Sequence, residues 1–193
     1  MRKATVYIAL LHYPMYNKQM DIVTTSITNL DLHDIARAAK TYDVEGFFVV
    51  HPAPNQHRLL KEIVGYWQEG YGGTYNSDRK EAFTILKPVL TLEEVKETIK
   101  KETGREPVLV STDARVYPNT VTYKELKKQV FNQEQVYLIL FGTGWGMQKE
   151  LMLECDYILE PIEANRVYNH LSVRSAVSII LDRLLGEFWF EEN

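Results

Sequence analysis

The chain has 193 residues, 45% of them hydrophobic and 25% charged, proportions that suit a globular protein and exclude a disordered one. With 22 Lys and Arg against 26 Asp and Glu the formal charge is -4, which excludes a generally basic nucleic-acid-binding surface but leaves room for a local basic strip or a groove completed by a second subunit. A single cysteine, Cys155, excludes an intrachain disulfide and a cysteine metal knuckle, and no run approaches the ~20 apolar residues of a membrane helix.

The opening Met1-Arg2-Lys3 carries no signal-peptide pattern, so a cytoplasmic setting is expected. Residues 5–11, Thr-Val-Tyr-Ile-Ala-Leu-Leu, are apolar and partly β-branched and read as a buried strand. Residues 12–28 show no regular period and contain Pro14, Asn17, Lys18 and Asp21; they are expected to form a long excursion beyond that strand. From Asn29 to Tyr42 the spacing of Leu32, Ile35, Ala36, Ala39 and Tyr42 predicts a helix, with Asn29 or Asp31 as its cap.

A second strand over 44–50 is stopped by His51-Pro52-Ala53-Pro54. A helix over about 56–67 follows, its buried stripe formed by Leu59, Leu60, Ile63, Val64 and Trp67. Residues 69–80, rich in Gly and Tyr, read as a loop before a short strand near 84–89. Thr91 and Glu94 signal a capping box for a helix that turns Leu92, Val95 and Ile99 inward and stops at Gly104. A strand within 107–111 precedes a second box, Thr122 with Glu125, and a helix ending near Phe131.

Residues 135–141 form the clearest central strand, apolar enough for a sheet covered on both faces. It leads into Gly142-Thr-Gly-Trp-Gly146, a helical turn over 148–153 and a strand over 156–160 that Pro161 ends. Ser172 then caps an amphipathic helix carrying Val173, Ala176, Val177, Ile180, Leu181, Leu184 and Leu185 inward, terminated by Gly186. Six strands alternating with helices predict a single doubly wound α/β domain over 1–193 with a mostly parallel six-stranded sheet.

In such sheets ligands gather beyond the carboxyl ends of the strands. Three segments are expected there: 28–34, 141–146 and 160–171. The alternate glycines of the middle one permit sharp turns and leave backbone groups uncovered; a tight strand-to-helix turn would need the same glycines. Familiar alternatives are missing: there is no phosphate loop, no GxGxxG after the first strand, no G-x-S-x-G, and no compact metal pattern among the five histidines. Arg174 lies at a helix start, where the free N–H groups disfavour a cation, so it calls for a carboxylate or phosphate partner or for full exposure to solvent.

Three stretches together resemble the SPOUT superfamily of trefoil-knotted RNA methyltransferases. Asn29 through Ala39, with Arg37 eight positions after Asn29, is similar to its first motif. Leu140-Phe-Gly-Thr-Gly-Trp-Gly-Met147 resembles the second, and Ile158-Leu-Glu-Pro-Ile162 followed by Tyr168-Asn-His-Leu-Ser-Val-Arg-Ser-Ala176 the third. The resemblance implies a C-terminal knot over 140–186 and S-adenosylmethionine as cofactor. It assigns the cofactor to Leu140, Phe141, Gly142, Thr143, Gly144, Glu160, Pro161, Ile162, Tyr168, Asn169, His170, Leu171 and Ser172.

By the same likeness Arg37 and Asn29 serve the methyl acceptor, a base or ribose of structured RNA (tRNA or rRNA). The partner would be a second copy of the chain, joined through the knot helix 172–185, with no metal and no membrane. The second motif departs from many ribose-modifying members, carrying Gly144-Trp145 where they place a glutamate, and the SLN-type third motif is replaced by Tyr168-Asn-His-Leu-Ser172. These departures leave the acceptor atom open, and an RNA- or partner-binding knot protein without methyl transfer is the alternative.

Overall fold

The structure, a computed structural model, describes residues 2–118, 120–163, 165 and 167–186. In chain order these form β1 (Thr5–Leu11), β2 (Met15–Tyr16), β3 (Ile22–Val23), α1 (Asn29–Thr41), β4 (Gly46–Val50) and α2 (Pro54–Gln68). There follow α3 (Tyr71–Tyr75), α4 (Ser77–Phe83), β5 (Leu86–Val89), α5 (Leu92–Thr103), β6 (Val108–Ser111), β7 (Thr120–Val121) and α6 (Tyr123–Asn132). The chain closes with β8 (Val136–Gly142), α7 (Lys149–Leu153), β9 (Tyr157–Leu159) and α8 (Val173–Leu185).

Seven strands make one sheet in the order β5-β4-β1-β8-β6-β9-β7, every neighbouring pair parallel. The six expected strands are all present, and β7 is the addition. Because side chains alternate across a strand, β1 and β8 feed two cores. Val6, Ile8, Leu10, Tyr137, Ile139 and Phe141 face a layer that includes Leu32, Ile35, Leu60, Phe83, Leu126 and Leu181 from α1, α2, α4, α6 and α8. Tyr7, Ala9, Leu11, Leu138 and Leu140 face the other layer, where α5 contributes Val95 and Ile99 and α7 contributes Met152.

Strand β9 lies between two strands that precede it. Ser111 at the end of β6 and Thr120 at the start of β7 both align with Ile158, so the connection between them crosses β9. That crossing sets the loop after β6 beside the segment after β9.

Several local expectations are corrected. The excursion after β1 contains an antiparallel hairpin, β2 with β3. Thr28, not Asn29 or Asp31, caps α1: its hydroxyl oxygen accepts the Asp31 N–H. Leu59 is exposed, and Leu60 alone of the expected stripe on α2 is fully buried. At α5, Thr91 accepts the Glu94 N–H but the Glu94 carboxylate accepts from Leu90, so the full capping box forms only at Thr122–Glu125.

The Gly- and Tyr-rich stretch folds as α3 and α4 because its glycines supply clearance. A Cβ on Gly72 would stand 2.5 Å from Tyr66 Cε1, and one on Gly73 would collide with the Trp67 carbonyl oxygen. Asn76 then caps α4 by accepting the Arg79 N–H. Gly73→Ala should therefore destabilise the protein by about 1–3 kcal/mol, seen as a melting temperature lower by roughly 2–10 °C. An unchanged melting temperature would show that α3 is not clamped onto α2 in this way.

Candidate functional site

At the carboxyl edge of the sheet lies a cavity of about 680 Å³. Its walls come from the segments after β1 (Thr25, Ser26, Thr28, Asp31), after β6 (Thr112 to Arg115), after β8 (through Gly146) and after β9 (Glu160, Ile162, Asn169 to Val173). The size is that of a cofactor pocket.

The glycine segment is shaped by the chain after β1. Trp145 N–H donates to Tyr16 O, Tyr16 N–H to Gly146 O and Gln148 N–H to Pro14 O, while Met15 bridges Met147. Gly144 and Gly146 have φ of 61° and 100°, in the left-handed region that side chains disfavour. A Cβ at Gly144 would sit 3.1 Å from Tyr16 O, and one at Gly146 2.9 Å from Arg115 Nη2. Both glycines are thus required by conformation, and Gly144 also by the close approach of the Tyr16 backbone.

Thr143 anchors this loop to a buried histidine. Its hydroxyl donates to Leu11 O at 3.0 Å and accepts from Thr25 Oγ1, whose oxygen in turn meets His12 Nδ1 at 3.0 Å. Since each hydroxyl has one proton, the chain of donors runs His12 Nδ1–H to Thr25 to Thr143 to the Leu11 carbonyl. His51 is fixed beside it, accepting from Ala53 N–H through Nδ1 and donating through Nε2 to Thr25 O. No sequence signal marked His12 and His51 as the support of the glycine segment.

The third segment is also internally held: Asn169 Nδ2 donates to Ile162 O at 3.0 Å, joining its two halves. The Thr112 hydroxyl donates to Leu140 O, and Glu160 accepts the Tyr123 N–H through Oε1 at 2.6 Å. The Arg115 fork grips Asp113 with Nε and Nη2 at 2.9 and 2.7 Å. Arg174, in the first turn of α8, donates to Asp31 Oδ1 at 3.0 Å and lies 3.3 Å from Asp34 Oδ2. The carboxylate partner that its position demanded is therefore a pair of aspartates on α1.

Of the thirteen residues assigned to the cofactor from sequence, the structure brings ten to the cavity: Phe141, Gly142, Thr143, Gly144, Glu160, Ile162, Asn169, His170, Leu171 and Ser172. Leu140 is buried in the second core, and Pro161 and the exposed Tyr168 do not line the cavity. Asn29 and Arg37 are exposed on α1 and do not line it either; Asp31, between them, does. Asp34, on the same helix, reaches Arg174 of α8. Among the described residues no group of three or more His, Cys, Asp or Glu is placed to hold a metal, and no helix is long and apolar enough to cross a membrane.

A parallel α/β sheet with a glycine-lined cavity at its carboxyl edge defines the class of ligand-binding α/β proteins. The SAM-dependent RNA methyltransferase family matches residues 5–186, and the chain belongs to that family. It is 47% identical to a protein of Aquifex aeolicus described only as uncharacterized, over 94% of this chain and 88% of that one. It is 39% identical to a tRNA (guanine-N(1)-)-methyltransferase of Oleidesulfovibrio alaskensis over 94% of this chain. The chain spans only 42% of the length of that relative.

The fold is shared with a probable methyltransferase from Bordetella pertussis, with a TM-score of 0.62, 18% identity and 94% of each chain covered. It is shared also with the SpoU methyltransferase AviRb of Streptomyces viridochromogenes in complex with AdoMet, with a TM-score of 0.57, 17% identity, and 96% and 58% of the two chains covered. The S-adenosylmethionine-dependent RNA methyltransferase family that the three-motif resemblance implied is borne out, and S-adenosylmethionine is the cofactor of that family.

Burial, then the neighbouring His51, hold the His12 imidazole down at about 4, with Asp31 opposing. A depressed folded value means that the unfolded chain binds more protons between that value and ~6.5. Stability should be full above pH ~6.5 and fall by about 3 kcal/mol as the pH drops towards 4. His12→Gln, which keeps a donor for Thr25, should flatten that slope in denaturant titrations; an identical slope would place the titration elsewhere.

Proposed function

We propose that the chain is an S-adenosylmethionine-dependent methyltransferase of structured RNA, tRNA or rRNA, acting in the cytoplasm as a homodimer. The single observation that carries this reading is the convergence of the second and third motif segments on one cavity whose glycines cannot accept side chains. The residues fit the cofactor chemically. Phe141, Ile162, Leu171 and Ile180 offer an apolar wall for a purine ring, while Glu160 suits a hydroxyl donor.

Bound there, S-adenosylmethionine supplies an activated methyl group. The chain supplies position: backbone from Phe141 to Gly144, at Glu160 and Ile162, and from Asn169 to Ser172 holds the ligand, and the donor chain from His12 keeps the glycine loop from relaxing. Alignment is the larger part of such catalysis. Arg37, exposed and permanently charged, grips an RNA phosphate or positions the acceptor from the outer face of α1, with Asn29 near the helix start. Topologically, the segment between β9 and α8 threads the loop that joins β6 to β7, forming the knot within 140–186 of a single domain; the strand order supports this reading. The outward face of α8 meets a second copy.

Transfer of labelled methyl from S-adenosylmethionine to total bacterial RNA, followed by nucleoside analysis, tests the proposal. Labelled RNA is the expected result; RNA binding with neither transfer nor saturable cofactor binding would make the chain a binding protein. Gly144→Val should weaken calorimetric cofactor affinity at least ~10-fold, because valine at a positive φ displaces the loop. Unchanged affinity in the folded variant would return the segment to a simple turn. Arg37→Ala should leave cofactor affinity intact and slow transfer at least ~10-fold, about 1.4 kcal/mol of transition-state stabilisation. Normal kinetics would leave Arg37 an ordinary surface residue.

A further inference from the structure

We infer that Asp31 takes the proton released by the methyl acceptor and that Arg174 is the positioning residue for its carboxylate. The inference rests on the methyltransferase reading. An acceptor N–H or O–H must lose a proton during transfer, and a carboxylate within hydrogen-bond reach is a competent recipient.

Three carboxylates line the cavity among the described residues: Asp31, Asp113 and Glu160. Asp113 is closed on Arg115, which donates its backbone N–H and Nε–H to Oδ1 and Nη2–H to Oδ2. Glu160 accepts at the start of α6 and belongs to the third motif, whose backbone faces the cofactor region. Asp31 stands on the opposite supporting element, α1. It is 6% exposed, with Oδ2 taking the Thr28 hydroxyl proton at 2.6 Å and Oδ1 taking Arg174 Nη1–H at 3.0 Å. Each of its oxygens retains acceptor capacity after those bonds.

The placement suits the step. The electron pair of the acceptor atom forms the bond to the methyl carbon, the pair of the breaking methyl–sulfur bond stays on sulfur, and the acceptor's proton passes to an Asp31 oxygen. The acceptor atom gains positive charge as the new bond forms, so its hydrogen becomes strongly acidic and a weakly basic carboxylate suffices. The Arg174 guanidinium orients the carboxylate, its Nη1–H donating to Oδ1 at 3.0 Å. Arg174 also fixes its geometry by bridging to Asp34 at 3.3 Å. The charged and titratable groups facing Asp31 are Arg174 from α8, Asp34 from its own helix and His12 from the end of β1.

The test uses the full chain, labelled S-adenosylmethionine and an RNA that the unaltered protein methylates. Asp31→Asn should keep calorimetric affinity for the cofactor and lower the single-turnover rate at least ~100-fold, with Asp31→Glu recovering part of it. Arg174→Met should slow single-turnover transfer at least ~10-fold at unchanged cofactor affinity, with Arg174→Lys recovering part of it, because the carboxylate loses the donor that orients it. A mere packing role for the pair would lower stability and leave the transfer rate of the folded variants in place. Wild-type transfer by Asp31→Asn overturns the inference, and so does a wild-type rate in folded Arg174→Met, which decides the matter even if Asp31→Asn does not fold. If the unaltered protein methylates no RNA, the methyltransferase reading itself falls, a result distinct from either.

Discussion

Strand β9 enters the sheet between β6 and β7, pairing in parallel with both, and the arrangement of the carboxyl edge depends on that insertion. Were β9 at the edge of the sheet, the connection after β6 would have no reason to cross it. Thr112 to Arg115 would then not stand against Glu160 and Ile162. The insertion also fixes where the chain leaves the sheet towards α8, whose packing on α1 and α6 brings Arg174 to Asp31. Local hydrogen bonds then complete the walls: Asn169 closes the third segment, and the chain His12–Thr25–Thr143 secures the second.

The charge distribution explains how a chain with a net charge of -4 belongs to a family acting on RNA. Cations near the cavity are paired with carboxylates, Arg115 with Asp113 and Arg174 with Asp31 and Asp34. With Glu160 also in the wall, the carboxylates outnumber these two arginines, as suits a ligand that carries a positive charge. On the proposed function, attraction for RNA comes from the rim and from outer faces such as that of Arg37, with a strength that depends on salt.

Much of the fold was legible because its main elements are long and strongly periodic. The apolar run of β8 and the three-or-four spacing on α8 leave little choice of structure. What stayed hidden is short or set by tertiary contact. Thr120–Val121 is too brief for a periodic signal, and α3 depends on glycines that matter only because Tyr66 and Trp67 lie beneath them. The site was legible where glycine spacing and motif order are local properties. Arg174 was recognisably out of place at a helix start, yet its partners lie 143 and 140 residues away and no local rule names them. His12 follows an apolar strand and carries no pattern of its own; only the fold shows that it supports Thr143. Arg37 and Asn29 came from motif likeness, while the residue that the fold turns into the cavity is Asp31.

The central claim is that the cavity between the glycine segment and the third motif segment is where S-adenosylmethionine binds. Crystals grown with S-adenosylhomocysteine test it most directly. The account predicts the ligand against the backbone of Phe141 to Gly144 and Asn169 to Ser172, with Asp31 facing the position from which the methyl group has departed. Density for the ligand elsewhere on the protein, with this cavity filled only by solvent, would contradict it.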